Sequence, residues 1–161
     1  MCPTLVPTFV QVGRNHTASA YAGGSTPAES SAGSTELAIY TWPDATLFEL
    51  ADLVRDKVEV ARTKVLVGGQ KQFPALGFSL VYPDRNGDFC VKTGGVAEAN
   101  NPDERRTLQE LGWEPGDCLD VAIFDTEKPK GGGGGGPRDR RREGGGAGGG
   151  GGGGRGGGGR R

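Results

Sequence analysis

Residue types that commonly do chemistry are sparse in this chain. There is one histidine, His16, in a stretch rich in glycine, serine and threonine, and there are three cysteines, Cys2, Cys90 and Cys118. A lone histidine in such a stretch is usually solvated, and three widely spaced cysteines match neither a disulfide framework nor a zinc pattern. Because Cys90 and Cys118 lie in apolar runs, we expect both to be small buried side chains.

No motif for catalysis or cofactor binding accompanies these residues. Patterns typical of zinc proteases, nucleophile elbows, phosphate loops and dinucleotide sites are missing from the sequence. Asp84, Asn86 and Asp88 resemble part of a calcium loop, but no glutamate follows at the twelfth position. We therefore expect a protein that is not an enzyme and holds neither a cofactor nor a metal.

The charge is divided between two parts of the chain. Residues 1–127, the body, carry 10 Lys+Arg and 18 Asp+Glu, whereas residues 128–161, the tail, carry 9 and 2. Residues 131–161 also hold 20 of the 32 glycines, so we expect the tail to be disordered. The body forms one domain of ordinary size, and its acidic field disfavours direct contact with nucleic acid.

The arginines of the tail could contact RNA, since arginine stacks on bases and binds phosphates while glycine keeps a chain flexible. The alternatives are a solubilising tail and a tail that folds back on the acidic body. The candidate RNA-binding residues are Arg138, Arg140, Arg141, Arg142, Arg155, Arg160 and Arg161. No run is long enough to span a membrane and no signal peptide is visible, so we expect an intracellular protein in a reducing compartment.

The elements of the body follow from periodicity and turn signals. Strands are predicted at 4–12, 36–42, 76–82, 88–92 and 118–124, and connecting loops at 13–35, 65–74 and 94–103. A capping box from Thr46 to Glu49 begins a helix that should run to about Lys64, and a similar pattern at Thr107 begins a short one. Pro7 is expected to place the first strand at a sheet edge or in a bulge. This order predicts an α+β fold, a ubiquitin-like β-grasp roll.

One corner of this fold is a candidate interaction site. Trp42, Pro43 and Asp44 stand between the second strand and the helix, and Pro43 cannot continue a β-ladder. Trp42 could pack under the helix as core, and Asp44 could serve only as a charge near the helix start. Tryptophan is also a favoured interface anchor, so partner binding is the functional alternative.

The same stretch carries a family resemblance. The resemblance rests on three stretches: IYTWPDATLFEL, the pair of strands in GFSLVYPDRNGDFCVK, and TLQELGWEPGDCLDVAI. They occur in the order typical of the eighteen-kilodalton Sin-three-associated polypeptide family, and residues 2–124 resemble that family. The resemblance implies a ubiquitin-like fold and a non-catalytic adaptor. This sequence departs from the family between the first two strands. Family members carry a basic and aromatic segment there, and only His16 and Tyr21 of this chain match it.

The resemblance also implies partners and a compartment. Its members act in the Sin-three histone deacetylase corepressor and in the apoptosis-and-splicing-associated complex, which contains Acinus and the serine-rich RNA-binding protein and joins the exon junction complex. It implies a nuclear protein, in nuclear speckles and also in the cytoplasm, and a monomer outside its complexes. The predicted partner-binding residues are His16, Tyr21, Tyr40, Trp42, Pro43 and Asp44. The alternative is an RNA-binding protein that acts mainly through its tail.

Overall fold

A five-stranded mixed sheet forms the centre of the computed structural model, which describes residues 2–124. Its strands are β1 Thr4–Val12, β2 Thr35–Thr41, β5 Ala75–Pro83, β6 Phe89–Ala97 and β7 Cys118–Phe124. They lie in the order β2-β1-β7-β5-β6 across the sheet. A separate hairpin consists of β3 Val65–Val67 and β4 Gln70–Gln72.

The last of the described strands, β7, lies between β1 and β5. It pairs in parallel with β1, where Val10 faces Val121, and antiparallel with β5, where Phe78 faces Val121. The other pairings in this sheet are antiparallel. One main helix packed across a mixed sheet of this order is a ubiquitin-like α+β fold, which confirms the fold class predicted from the sequence.

Helix α2, Leu47–Lys57, packs against one face of this sheet. Its apolar residues recur at helical spacing and meet the alternate residues of the strands, including Val6, Ile39 and Val121, in one continuous core. Each large apolar side chain buried in this way contributes about 1.5–3 kcal/mol. The fully enclosed side chains of the helix are Leu47, Leu50, Ala51 and Val54.

The predicted single helix to Lys64 is wrong in its second half. The backbone is extended at Val58, with φ −119° and ψ 112°, and a separate short helix, α3, follows at Glu59–Arg62. Val58 and Ala61 still pack on the core, so the apolar periodicity continues across the break. For this reason the sequence pattern alone does not reveal where the helix ends.

Two predicted loops contain regular structure, and a third is shorter than predicted. Residues 13–35 include a 3₁₀ segment at Ala18–Gly24 and helix α1 at Pro27–Ser30. Residues 65–74 contain the β3–β4 hairpin, and β6 extends to Ala97 into the predicted 94–103 loop. These pieces are too short or too polar to show a period. The remaining helical pieces are a 3₁₀ turn at Pro102–Arg105 and α4 at Leu108–Leu111.

The predictions for Pro7 and for two of the cysteines also need correction. β1 is not an edge strand, but its pairing with β7 starts only at Thr8, so Pro7 has a ladder on one side alone. The missing amide of a proline is tolerated there. Cys90 and Cys118 are half-buried rather than buried, because both lie near the ends of their strands.

Candidate functional site

The corner between β2 and α2 presents two aromatic side chains to solvent. Alternation along β2 directs Leu37, Ile39 and Thr41 into the protein and leaves the intervening residues outside. Tyr40 is 63% exposed and Trp42 is 46% exposed. Trp42 is therefore not a core residue, and the alternative that it packs under the helix is wrong.

Hydrogen bonds from the α4 region hold the corner in one conformation. The amide of Gln109 donates to the carbonyl of Pro43 at 2.8 Å, and the amide of Leu108 donates to the carbonyl of Ala45 at 3.0 Å. Within the corner, the amide of Ala45 donates to the carbonyl of Trp42 at 3.0 Å. Backbone groups on both sides of Asp44 are thus paired, so the exposed side chains stand on a fixed support.

The floor next to this corner is formed by a second tryptophan. Trp113 is buried, and its indole N–H donates to the carbonyl of Asp117 at 3.1 Å. Gly112, with φ 84°, ends α4 in the left-handed region and turns the chain so that Trp113 reaches this position. The indole N–H is therefore satisfied, and the ring belongs to the main hydrophobic core.

A groove with a volume of about 1180 Å³ runs along the corner and the adjoining face of α2. Tyr40, Trp42, Pro43 and Asp44, the predicted partner-binding residues of the corner, all lie in its wall. Of the residues that line it, four are acidic and none is lysine or arginine. The acidic residues are Asp44, Glu49, Asp52 and Asp56.

The other two predicted partner-binding residues lie elsewhere, in the interior. His16 and Tyr21, the latter within the 3₁₀ segment, are both buried on the opposite face of the sheet. The prediction that His16 is solvated is wrong, because its ring Nδ1 lies 2.5 Å from the Oδ2 atom of Asp120. The structure thus brings these two residues together, and separates them from the corner that contains Trp42.

Asp120 is the residue that His16 and Tyr21 both contact. Its carboxylate is fully buried and accepts hydrogen bonds from the side chain of Asn15 at 2.9 Å, from the amide of His16 at 3.0 Å and from the hydroxyl of Tyr21. Burial, followed by the hydrogen bond to Asp120, raises the pKa of Tyr21 above its ordinary value. This arrangement fixes residues 15–21 on the sheet.

One position in the sequence is a signal for this cluster. Asp120 is the one charged residue inside the apolar strand CLDVAIF, where a carboxylate is costly unless donors surround it.

In the part of the chain that the structure describes, no group of three or more histidine, cysteine or acidic side chains could hold a metal ion. Residues 2–124 contain no helix long and apolar enough to cross a membrane. The candidate arginines of the tail lie outside the described residues.

Comparison with known proteins assigns this arrangement of sheet and corner to a family. A model of the family Sin3 associated polypeptide p18 (SAP18) matches residues 1–123. The chain belongs to the SAP18 family. The match spans every element of the sheet, the corner and the groove, and it confirms the resemblance seen in the sequence.

Several curated SAP18 proteins are similar to the chain. The protein named Histone deacetylase complex subunit SAP18 from Arabidopsis thaliana is 38% identical over 128 residues, which cover 76% of this chain and 75% of the relative. Proteins of the same name from Drosophila melanogaster and Homo sapiens are 36% and 34% identical over 76% of this chain, and cover 74% and 73% of their own lengths.

Proposed function

We propose that this chain is a non-catalytic subunit of a nuclear histone deacetylase complex and that the groove beside Trp42 is the surface by which it docks a protein partner. The single observation that carries the docking surface is a half-exposed tryptophan on a hydrogen-bonded corner, since large aromatic residues on fixed supports are the usual anchors of interfaces. The names of the SAP18 relatives support the complex.

The resemblance to the family supports a more specific role within the complex. The chain acts as an adaptor that links the deacetylase of a Sin-three corepressor to DNA-bound repressors. Through Acinus-like and serine-rich RNA-binding partners it also serves the splicing-associated complex, in nuclear speckles. The extended match over residues 1–123 supports this role. The placement of His16 and Tyr21 in the interior favours a supporting role for them, whereas Tyr40, Trp42, Pro43 and Asp44 offer exposed contact surface.

The test compares two exposed aromatic residues of similar exposure. Trp42→Ala in the tagged full-length chain should reduce the deacetylase activity recovered from nuclear extract of the native organism. Removal of an interface anchor typically costs about 2 kcal/mol, or about 30-fold in affinity. Phe48→Ala is the matched control, because Phe48 is 49% exposed on α2 but lies outside the groove.

Two outcomes of this experiment would contradict the proposal. If Trp42→Ala recovers as much deacetylase activity as Phe48→Ala, the groove is not the docking surface. If the wild-type chain recovers no deacetylase activity, the complex itself is wrongly assigned. Thermal unfolding of both variants should match the wild type within a few degrees, because surface substitutions usually change stability by less than about 0.5 kcal/mol.

A second candidate function rests on the charge of the tail. The balance of 9 Lys+Arg against 2 Asp+Glu in residues 128–161 favours contact with RNA, in addition to or in place of protein docking by the body. This contact would be weak, tolerant of sequence and sensitive to salt. Ribonuclease treatment separates the two functions, since protein docking through the groove should survive it.

A further inference from the structure

The carboxylates of the groove differ in what they already bind. Glu49 completes the capping box, where its Oε2 atom accepts from the amide of Thr46 at 2.8 Å and from its hydroxyl at 3.0 Å. Asp52 pairs with Arg55 at 3.1 Å. Among the described residues, Asp44 and Asp56 have neither a hydrogen bond nor an ion pair through their side chains. The groove therefore offers two unpaired negative charges.

Two exposed aromatic residues line the same groove as these charges. Trp42 and Tyr40 are exposed in the same groove as Asp44. Within residues 2–124, no lysine or arginine lines the groove, and Arg55 pairs with Asp52 only. A guanidinium group can stack on an aromatic face and donate two parallel hydrogen bonds to a carboxylate, whereas an ammonium group is a strongly hydrated point charge. Carboxylates beside exposed aromatic rings thus favour arginine over lysine.

The groove is also prepared in advance. The backbone carbonyls of Pro43 and Ala45 accept hydrogen bonds from α4. The backbone that carries Trp42 and Asp44 is therefore fixed before a partner binds. A preorganised surface loses less entropy when it binds. The negative charge excludes a polyanion, so a nucleic acid is not the occupant of this surface.

From these observations we infer that the groove binds an arginine-rich polypeptide segment of a partner protein, with guanidinium groups placed between the aromatic rings and the carboxylates of Asp44 and Asp56. This inference rests on the proposed docking function and specifies the chemistry of the partner. Charge complementarity selects the segment, and the aromatic rings select arginine within it.

The experiment measures binding of a fluorescein-labelled Arg-Gly-Ser repeat peptide to the full-length chain by fluorescence anisotropy. Two further peptides replace every arginine by lysine or by citrulline, which keeps the shape of arginine but has no charge. The wild-type chain should bind the arginine peptide most tightly and should not bind the citrulline peptide. Trp42→Leu should remove the preference for arginine over lysine.

Charge variants locate the site. The double variant Asp44→Asn/Asp56→Asn should weaken binding at least tenfold, which is about 1.4 kcal/mol. Asp88→Asn is the control, because Asp88 is an exposed carboxylate in the β5–β6 turn, outside the groove. The loss of binding free energy is compared per removed charge. If Asp88→Asn loses as much per charge as the double variant, net charge alone accounts for peptide binding and the inference is overturned.

Two other outcomes would also overturn it. One is failure of the wild-type chain to bind the arginine peptide. The other is tighter binding after Arg138, Arg140, Arg141 and Arg142 are replaced by serine in the full-length chain, which would make the tail, rather than a partner, the occupant. If Trp42→Ala loses deacetylase activity while no peptide binds, the docking function stands and only the arginine chemistry is wrong.

Discussion

At the scale of single residues, the protein contains a carboxylate where a charge is expensive. Asp120 is fully buried in the middle of the sheet, and the cost of removing it from water is offset by donors from Asn15, His16 and Tyr21. The Nε2 atom of His16 is buried without a partner among the described residues. The ring is thus used through one nitrogen only, as an anchor for the segment above it.

The raised pKa of Tyr21 makes stability depend on alkaline pH. The neutral hydroxyl is favoured in the folded protein, so its stabilisation is complete below the ordinary tyrosine pKa of about 10 and is lost as the pH rises above that value. The free energy of unfolding should fall by up to about 1.4 kcal/mol per pH unit there. Denaturant unfolding between pH 8 and about pH 11.5 measures this slope.

The control for this prediction is Tyr21→Phe, which should unfold with a smaller alkaline slope. Burial also raises the pKa of the Cys118 thiol, but Cys118 is present in both proteins, so the difference in slope belongs to Tyr21. Parallel curves would show that the Tyr21 hydroxyl is not held neutral by its surroundings. At pH 7 the variant should lose about 1–3 kcal/mol, because the buried carboxylate loses one donor.

The sequence correctly indicates the exposed corner and the apolar stripe of α2, but it gives the wrong environment for His16. Alternation in β2 and the proline after it were sufficient to place Trp42 at a corner as an interface candidate. His16 was misjudged because the residue that buries it, Asp120, is 104 positions away in the sequence. Only the tertiary fold brings a glycine-rich stretch next to an acidic position of the last strand.

At the scale of elements, the main helix α2 and the short helix α4 begin side by side next to the groove. Thr46 and Thr107 each cap a helix with a reciprocal bond to a glutamate three residues later, and the two threonines form an isolated antiparallel bridge. The amide of Leu47 donates to the carbonyl of Arg106 at 2.9 Å, and further bonds join α4 to Pro43 and Ala45. The two helix starts therefore support each other and the corner between them.

Loss of one cap should destabilise the body and loosen the groove. Thr46→Ala removes the hydroxyl that accepts from the amide of Glu49, and such a loss typically costs about 1 kcal/mol. Thr46→Ser keeps the hydroxyl and is the matched control. Urea unfolding of the three proteins tests this prediction, and equal midpoints for the alanine and serine variants would contradict it.

The capping boxes at Thr46 and Thr107 are predicted from sequence because their signature lies within four residues. The same pattern at Thr26 and Glu29, which begins α1, is overlooked in the predicted 13–35 loop. Long elements with a strong period were also predicted, including the first part of α2 and the strands of the sheet.

The extended conformation of Val58 escapes the sequence pattern because packing on the core, rather than local propensity, decides it. The β3–β4 hairpin has a local signal that the loop prediction overlooks, since Gly68 and Gly69 both have positive φ in its turn.

At the scale of the whole molecule, the body and the tail differ in charge and are expected to differ in task. The described body is an acidic α+β domain with an acidic groove, and the tail has a strongly basic composition. Element order was enough to predict the ubiquitin-like class. The register of the sheet was not predictable, because long-range pairing depends on contacts that no local pattern encodes.

Deletion of residues 128–161 should separate the two proposed tasks. The shortened chain should still recover deacetylase activity in a manner that depends on Trp42, and it should lose any association that ribonuclease abolishes. Binding of the full-length chain to RNA should weaken steeply with salt, since each released counterion adds to the slope. Deacetylase recovery that disappears with the tail would contradict the assignment of docking to the body.

The position of β7 has a consequence for synthesis of the protein. Of the described strands, β7, between β1 and β5, is the last to leave the ribosome, so both of its neighbours have unpaired edges until residues 118–124 emerge. A chain that stops before Cys118 should therefore be cleared or aggregate instead of folding. Premature stop codons anywhere upstream should behave as null alleles, without a truncated product that competes for partners.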